Sequence, residues 1–313
     1  MGFGLAVHSL YNQCQSLVRI AGSKTDTFPV RVELCQGCPL SPIPFITFMD
    51  RISRRSQGVE GIWFGGCRIR YLLFADDVVL MASTGQDLQL SLDRFAAECE
   101  ATGMRISTSK SESMVLAWKR FECHLRVGKE VKYFGVLFTS EGRVDREIDR
   151  RIGAPSSVMR TLYRSVVVKK ELSRKAKLSI YRSIYVPILT YGHKLWVLTE
   201  RTRSRVQKAE MSFLHGSVGL SFRDRMRCSA IRGELKVKPL LLHIDRSQTR
   251  WFGHLVRIPP ECLPREVFRA RLTGRRPPGR PMTRWEDYVS QLAWERQASL
   301  TLLRLLPSRP DLG

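Results

Sequence analysis

Two adjacent aspartates, Asp76 and Asp77, interrupt an apolar run that spans residues 71–82. Burying or half-burying two carboxylates between strand-forming segments costs several kcal/mol per unpaired ion. A divalent metal, which takes hard oxygen ligands, is the simplest compensation. The apolar residues on either side read as two strands of a hairpin, with the aspartates at or beside its turn. Such a pair suits Mg²⁺ held against phosphates in two-metal phosphoryl transfer. An ordinary polar turn between two core strands takes the same residues, so the pair alone leaves both readings open.

The remaining composition favours the phosphate chemistry. Lys and Arg number 52 against 29 Asp and Glu, a formal charge of +23 over 313 residues. A polyanion is the natural partner of that excess, and arginine suits bidentate phosphate contacts. An anionic membrane would call for basic residues gathered on one amphipathic helix, whereas here they run the length of the chain. No stretch is long and apolar enough to predict a transmembrane span. Met1 to Leu10 carries no basic segment and no cleavage site, so the expectation is an intracellular protein, nuclear or cytoplasmic. Eight scattered cysteines read as reduced thiols. Cys35 and Cys38 have C-x-x-C spacing, but no second pair or His pair accompanies them to make a zinc site.

Positioning elements follow from local pattern. A helix and a hairpin-like stretch are expected before residue 35, the latter over residues 28–34. The turn-rich Gln36-Gly37-Cys38-Pro39-Leu40-Ser41-Pro42 leads into a helix with Phe45, Phe48, Met49 and Ile52 inward. Ser41 is placed to cap it, Pro42 to open it, and Arg51, Arg54 and Arg55 to close it. Leu88, Leu92, Phe95, Ala96 and Cys99 form the apolar stripe of a second helix, ended by Gly103. Short strands are predicted over 104–107 and 113–116, flanking Lys110, and another over 132–138. The first 140 residues are therefore mixed α and β. Residues 145–245 read as helices, one begun by Ser173 with Ala176, Ile180, Ile184 and Tyr185 on one face and stopped near Pro187. Another, roughly 200–215, carries Arg201, Arg203, Arg205 and Lys208, either a solvated face or a phosphate contact. The Arg/Pro/Trp-bearing region from 246 onward includes residues 273–281. These read as an extended basic linker with partial resemblance to a minor-groove AT-hook. His193 and His254 sit beside aromatics and read as packed or surface histidines.

Four motifs occur in order: Gln36-Gly37-Cys38-Pro39-Leu40-Ser41-Pro42; Phe74-Ala75-Asp76-Asp77; Thr102-Gly103-Met104-Arg105-Ile106 leading to Lys110-Ser111-Glu112; and Lys132-Tyr133-Phe134-Gly135-Val136. In that order and spacing they resemble a reverse transcriptase of the non-LTR (LINE-type) retrotransposon class. Tyr191-Gly192-His193-Lys194-Leu195-Trp196, Arg250-Trp251-Phe252-Gly253-His254-Leu255 and Gly279-Arg280-Pro281 resemble the C-terminal part of such elements. The resemblance implies an α+β fold: an incomplete polymerase palm over 1–140, a helical thumb over 141–245 and a basic tail over 246–313. It implies RNA-directed DNA polymerase activity on an RNA template and DNA primer, with two Mg²⁺ ions. Asp76 and Asp77 would be the metal ligands, Asp76 the more direct. Gln36 and Gly37 would approach nucleotide and template, where glycine lets the backbone come close. Lys110 would meet the departing pyrophosphate, and Lys132 and Tyr133 would belong to the hairpin that grips the primer.

One departure from the family pattern bears on activity. The family carries an earlier catalytic aspartate on a strand well before the Gln-Gly loop, whereas upstream of Gln36 only Asp26 and Glu33 are acidic. A metal site short of one carboxylate loses geometry and charge balance, and a hairpin short of a neighbouring strand keeps an open edge. The expectation is an impaired polymerase remnant that keeps nucleic-acid binding, with an intact element protein as a possible complementing partner. No endonuclease motif is present, so target nicking is not expected of these residues.

Overall fold

The structure, a computed structural model, describes residues 9, 11–12, 14–29, 37–58, 60–64, 66–116, 127–162, 173–219, 226–270 and 283–305. It divides into two compact units, Met1–Phe64 with Arg68–Ser111 and Gly65–Cys67 with Glu112–Gly313. Helices mixed with small, mainly antiparallel strand pairs make the chain α+β. Among the described residues no helix is long and apolar enough to cross a membrane.

In the first unit, strands β1 (Gln15–Ser16), β2 (Arg19–Ile20), β3 (Ser23–Lys24) and β4 (Phe28–Pro29) pair antiparallel as β1–β4 and β2–β3. Of the expected hairpin over 28–34 only Phe28 and Pro29 are described, as β4. Helix α1 (Pro42–Arg55) buries Met49 and Ile52, with Phe45 and Phe48 packed beside them. Ser41 does hold the position before Pro42, yet its side chain makes no cap. Its hydroxyl instead lies 2.9 Å from the Tyr11 hydroxyl. The basic end suits the negative pole of the helix dipole, and Arg54 also pairs with Asp50 at 2.9 Å.

Strands β5 (Ile62–Phe64) and β6 (Cys67–Ile69) precede β7 (Tyr71–Phe74) and β8 (Asp77–Leu80). Helix α2 (Gly85–Ala101) is capped by Thr84, which accepts from the Asp87 amide at 3.1 Å. It ends where Gly103 takes φ +76° and the Met104 amide reaches back to the Cys99 carbonyl at 2.8 Å. Phe95 and Cys99 are buried against Met49 and Ile52. Burial of such side chains supplies about 1.5–3 kcal/mol each. Residues 104–107 are not a strand; Ser107 to Lys110 is a turn, closed by the Lys110 amide on the Ser107 carbonyl at 3.1 Å.

The second unit starts with a short parallel pair, β9 (Ser113–Met114) with β10 (Val127–Gly128). The single strand expected over 132–138 is a hairpin, β11 (Glu130–Tyr133) with β12 (Val136–Thr139), because Phe134 and Gly135 both adopt positive φ (48° and 69°). That is the sign pattern of the tight turn that matches strand twist. Helix α3 (Asp145–Leu162) follows, then α4 (Arg174–Ile180), capped by Ser173 on the Ala176 amide at 3.3 Å. Helix continues past Pro187 through a π-helical turn (Tyr181–Tyr185) into α5 (Val186–Thr190). The extra residue shifts the face: Tyr181 and Tyr185 are buried, while Ile184, expected inside, is 37% exposed. A 3₁₀ turn (His193–Leu195), α6 (Glu200–Val218), α7 (Cys228–Leu235), α8 (Leu240–Arg257), α9 (Leu263–Arg269) and α10 (Trp285–Leu305) complete the chain. Ile148, Leu189, Trp196, Val206, Leu214 and Ile244 centre the core. The Arg/Pro/Trp-bearing region is largely helical where described, α8 running through residue 246; residues 273–281 lie outside the described residues.

Candidate active site

The aspartate pair sits on the β7–β8 hairpin. Tyr71 pairs with Leu80, Leu72 with Val79, Leu73 with Val78 and Phe74 with Asp77, leaving Ala75 and Asp76 as a two-residue turn. Residues directly opposite share a face. Tyr71, Val78 and Leu80 pack on the α1–α2 core, so Asp77 falls on the other face with Phe74. A one-residue slip would turn Asp77 into the core, and the register is thereby held. Ala75 takes φ +50° to close the turn, a conformation that costs a non-glycine residue about 1–3 kcal/mol.

Both aspartates are exposed, which corrects the expectation of half-buried carboxylates. The flanking apolar run comes from two strands with one face on the core, and the turn projects beyond it. No side-chain hydrogen bond or ion pair engages either carboxylate among the described residues, and no third His, Cys, Asp or Glu joins them there as a metal cluster. Two free hard-oxygen donors fit a Mg²⁺ that takes its remaining ligands from water and substrate phosphates. They do not make a closed metal cage by themselves.

Gly37 lies in the same unit with φ +83°, left-handed backbone that suits glycine, and a side chain there would meet nothing within 4 Å. Gln36 lies outside the described residues. Beside Gly37, the Leu40 amide and then the Tyr11 hydroxyl hold the Cys38 thiol below its ordinary value. Lys110 ends the turn after Ser107, exposed. Among the described residues no hydrogen bond or ion pair joins Gly37 or Lys110 to the aspartates.

Lys132 and Tyr133 lie in the second unit, on β11. The Lys132 amide donates to Glu112 at 3.3 Å and its side chain is exposed. The turn beyond them is clamped. Buried Glu147 on α3 accepts from the Leu137 amide at 3.0 Å, from Arg150 at 2.8 and 2.9 Å and from Arg151 at 2.5 Å. Burial pushes this carboxyl up, but the arginine and amide hydrogen bonds outweigh it and hold it below the usual range. Arg150, at 2.5 Å, and Arg151 also donate to the Gly135 carbonyl. The Tyr191 hydroxyl donates to the Phe134 carbonyl at 2.7 Å, and Arg151 lies 4.5 Å over the Tyr191 ring. In the sequence Tyr191 stands out only as part of a motif, and Glu147 only through the local pattern that places Arg150 and Arg151 three and four residues on.

The 191–196 motif is itself held from several sides. Gln248 donates to the carbonyls of His193 and Trp196 at 2.8 and 2.7 Å, and Trp285 donates to that of Lys194 at 2.6 Å. Burial lowers the half-buried His193, whose ring nitrogen meets the Thr190 carbonyl. His254 is exposed beside Trp251. On α6, Arg203 pairs with Asp245 at 2.8 Å and Arg205 pairs with Asp149. Of the expected basic face, Arg201 and Lys208 remain exposed without such a partner among the described residues.

The profile of the family described as "Reverse transcriptase (RNA-dependent DNA polymerase)" matches residues 3–138. The chain is 32% identical over 132 residues to a Retrovirus-related Pol polyprotein from type-1 retrotransposable element R2 of Nasonia vitripennis, covering 36% of this chain and 13% of that one. A protein of the same description from Popillia japonica is 29% identical over 190 residues, 58% of this chain and 27% of that one. The RNA-directed DNA polymerase from mobile element jockey of Drosophila melanogaster is 22% identical over 290 residues, 87% of this chain and 31% of that one. The chain thus spans less than a third of each of these relatives.

Proposed function

We propose that the chain contributes the metal-bearing hairpin and primer-gripping part of an RNA-directed DNA polymerase, a reading supported by the match of residues 3–138 to the reverse transcriptase family and by the non-LTR retrotransposon proteins among the relatives. The observation that carries this reading is the exposed Asp76–Asp77 pair where the strained Ala75–Asp76 turn enters β8, within the matched segment. Asp76 and Asp77 would hold Mg²⁺, which when bound neutralises charge on the phosphates of the reacting groups. Gln36 and Gly37 would lie along nucleotide and template. Lys110 would offset charge on departing pyrophosphate. Lys132 and Tyr133 would meet the primer, and the helices from α3 onward would act as a thumb followed by a basic tail. The ligands are an RNA template and a DNA primer, and work on a genomic target would place the protein in the nucleus.

A second reading follows from the carboxylate count. Upstream of Gln36 the sequence offers only Asp26 and Glu33 as acidic residues, and on this reading these 313 residues alone would bind primer–template and extend it weakly or not at all. An intact element protein could supply the third ligand. Manganese titration followed by electron paramagnetic resonance tests the metal assignment. With primer–template and nucleotide present, Mn²⁺ binding in excess of that by the same nucleic acid and nucleotide without protein is expected, and Asp76→Ala/Asp77→Ala should abolish the excess. Equal Mn²⁺ binding by that variant would remove these residues from the metal site.

A further inference from the structure

Two histidines of the second unit face one another. His193, in the 3₁₀ turn, and His243, on the first turn of α8, have ring centres 6.0 Å apart and planes inclined by 38°. The Thr190 carbonyl can only accept, so the His193 Nδ1 that meets it carries the proton. A neutral ring then keeps its lone pair on Nε2. That atom is buried and meets no donor among the described residues. A histidine packed for stability alone would engage both nitrogens, because an unpaired buried acceptor is costly. His243 is exposed, and among the described residues no hydrogen bond or ion pair engages its side chain.

We propose that His193 and His243 form a two-imidazole site for a divalent transition-metal ion such as zinc, with water completing its coordination. Imidazole nitrogen suits zinc, copper and nickel, whereas the carboxylate oxygens of Asp76 and Asp77 suit magnesium. A bond from Nδ1–H to a backbone carbonyl is the outer partner that fixes tautomer and ring orientation in metal-bound histidines. The loop is also preset against α8, since Gln248 holds the carbonyls of His193 and Trp196 at 2.8 and 2.7 Å. With Zn–N bonds of about 2.0–2.1 Å, two rings on one tetrahedral ion have centres roughly 5 Å apart, so rotation of the exposed His243 side chain has about 1 Å to close. The charge of Lys194 opposes such an ion, yet its ammonium is held over the Trp251 ring at 4.9 Å. A bound ion would tie the 191–196 loop to α8. The proposal stands whether or not Asp76 and Asp77 hold a metal.

The test is Zn²⁺ titration of the whole, chelator-treated chain, isotope-labelled at its histidine nitrogens and read by NMR, so that zinc taken by cysteine thiols stays out of the signal. The His193 and His243 resonances, assigned by single alanine variants, are expected to move together and saturate at the same zinc concentration. His243→Ala should weaken the His193 response by more than the roughly 10–100-fold that follows loss of an outer partner, and His254→Ala should leave it unchanged. Because His243 is exposed, that variant decides the matter even if His193→Ala fails to fold. A His193 resonance unmoved by zinc overturns the proposal, and so does a response of equal affinity in His243→Ala. Movement of His193 only at the zinc concentrations that also move His254 would mark adventitious surface binding and overturn it likewise.

Discussion

The Tyr191 hydroxyl donates to the Phe134 carbonyl over 2.7 Å, tying together two segments 57 residues apart in the chain. The bond joins the 191–196 loop to the β11–β12 turn, and Glu147, Arg150 and Arg151 close round the same turn. The hairpin proposed to grip the primer is therefore fixed to α3 and α5 of its own unit. Tyr191→Phe removes only the hydroxyl and keeps the ring under Arg151. It should cost about 0.5–1.5 kcal/mol, read from a denaturant midpoint at unchanged slope. No loss would mean the bond is not populated in solution.

Glu147→Gln should cost more. It leaves Arg151 buried without its counter-ion, a change worth about 3–5 kcal/mol. The pH dependence has a definite sign. The folded carboxyl titrates below its ordinary value of 4.5, so its contribution is present above that value and is lost as pH falls through the folded one. Acid denaturation curves of the wild type and Glu147→Gln should converge below pH 4.5; parallel curves would contradict the assignment.

Gly192→Ala should be destabilising by about 1–2 kcal/mol from backbone conformation alone. Gly192 sits at φ +75°, and an added Cβ would stand 3.0 Å from Val136 Cγ2. A melting temperature equal to the wild type would contradict the left-handed backbone at Gly192.

Helix α6 carries a second buried carboxylate. Glu210, wholly buried, accepts from Arg232 at 2.5 Å, from Tyr181 at 3.2 Å and from the Leu240 amide at 3.0 Å. Burial first, and then the charge and hydrogen bond of Glu210, raise the Tyr181 phenol far above its ordinary value of 10.0. Such a group stabilises the fold below pH 10 and loses that contribution as pH rises toward the folded value. Alkaline melts should show a drop above pH 10 that Tyr181→Phe reduces. An unaltered drop would assign it to other groups, with Tyr185, also raised by burial, the next to test.

What local sequence carries was legible here. Apolar runs on both sides of Asp76 and Asp77 are enough to define two strands and a turn. The stripes of α1 and α2 define their buried faces, because spacing alone sets which side chains share a face. Exposure of the aspartates was not legible, since it depends on which strand face meets the core. The helix past Pro187 was misread because a π-helical turn before it gives the Val186 amide the Tyr181 carbonyl and absorbs the break. The clamp on the β11–β12 turn was invisible for a related reason. Glu147, Arg150 and Tyr191 look like surface residues until α3 and α5 bring Arg150 and Tyr191 to the Gly135 and Phe134 carbonyls and Glu147 to the Leu137 amide.

The most direct measurement is primer extension on an RNA template with Mg²⁺, wild type beside Asp76→Ala/Asp77→Ala. The expected result is salt-sensitive binding of primer–template by both, with extension by the 313 residues alone no greater than that of the variant. Robust extension by the wild type that the double substitution abolishes would contradict the account of an incomplete metal site. A further carboxylate of this same chain, Asp26 or Glu33 among them, would then complete it.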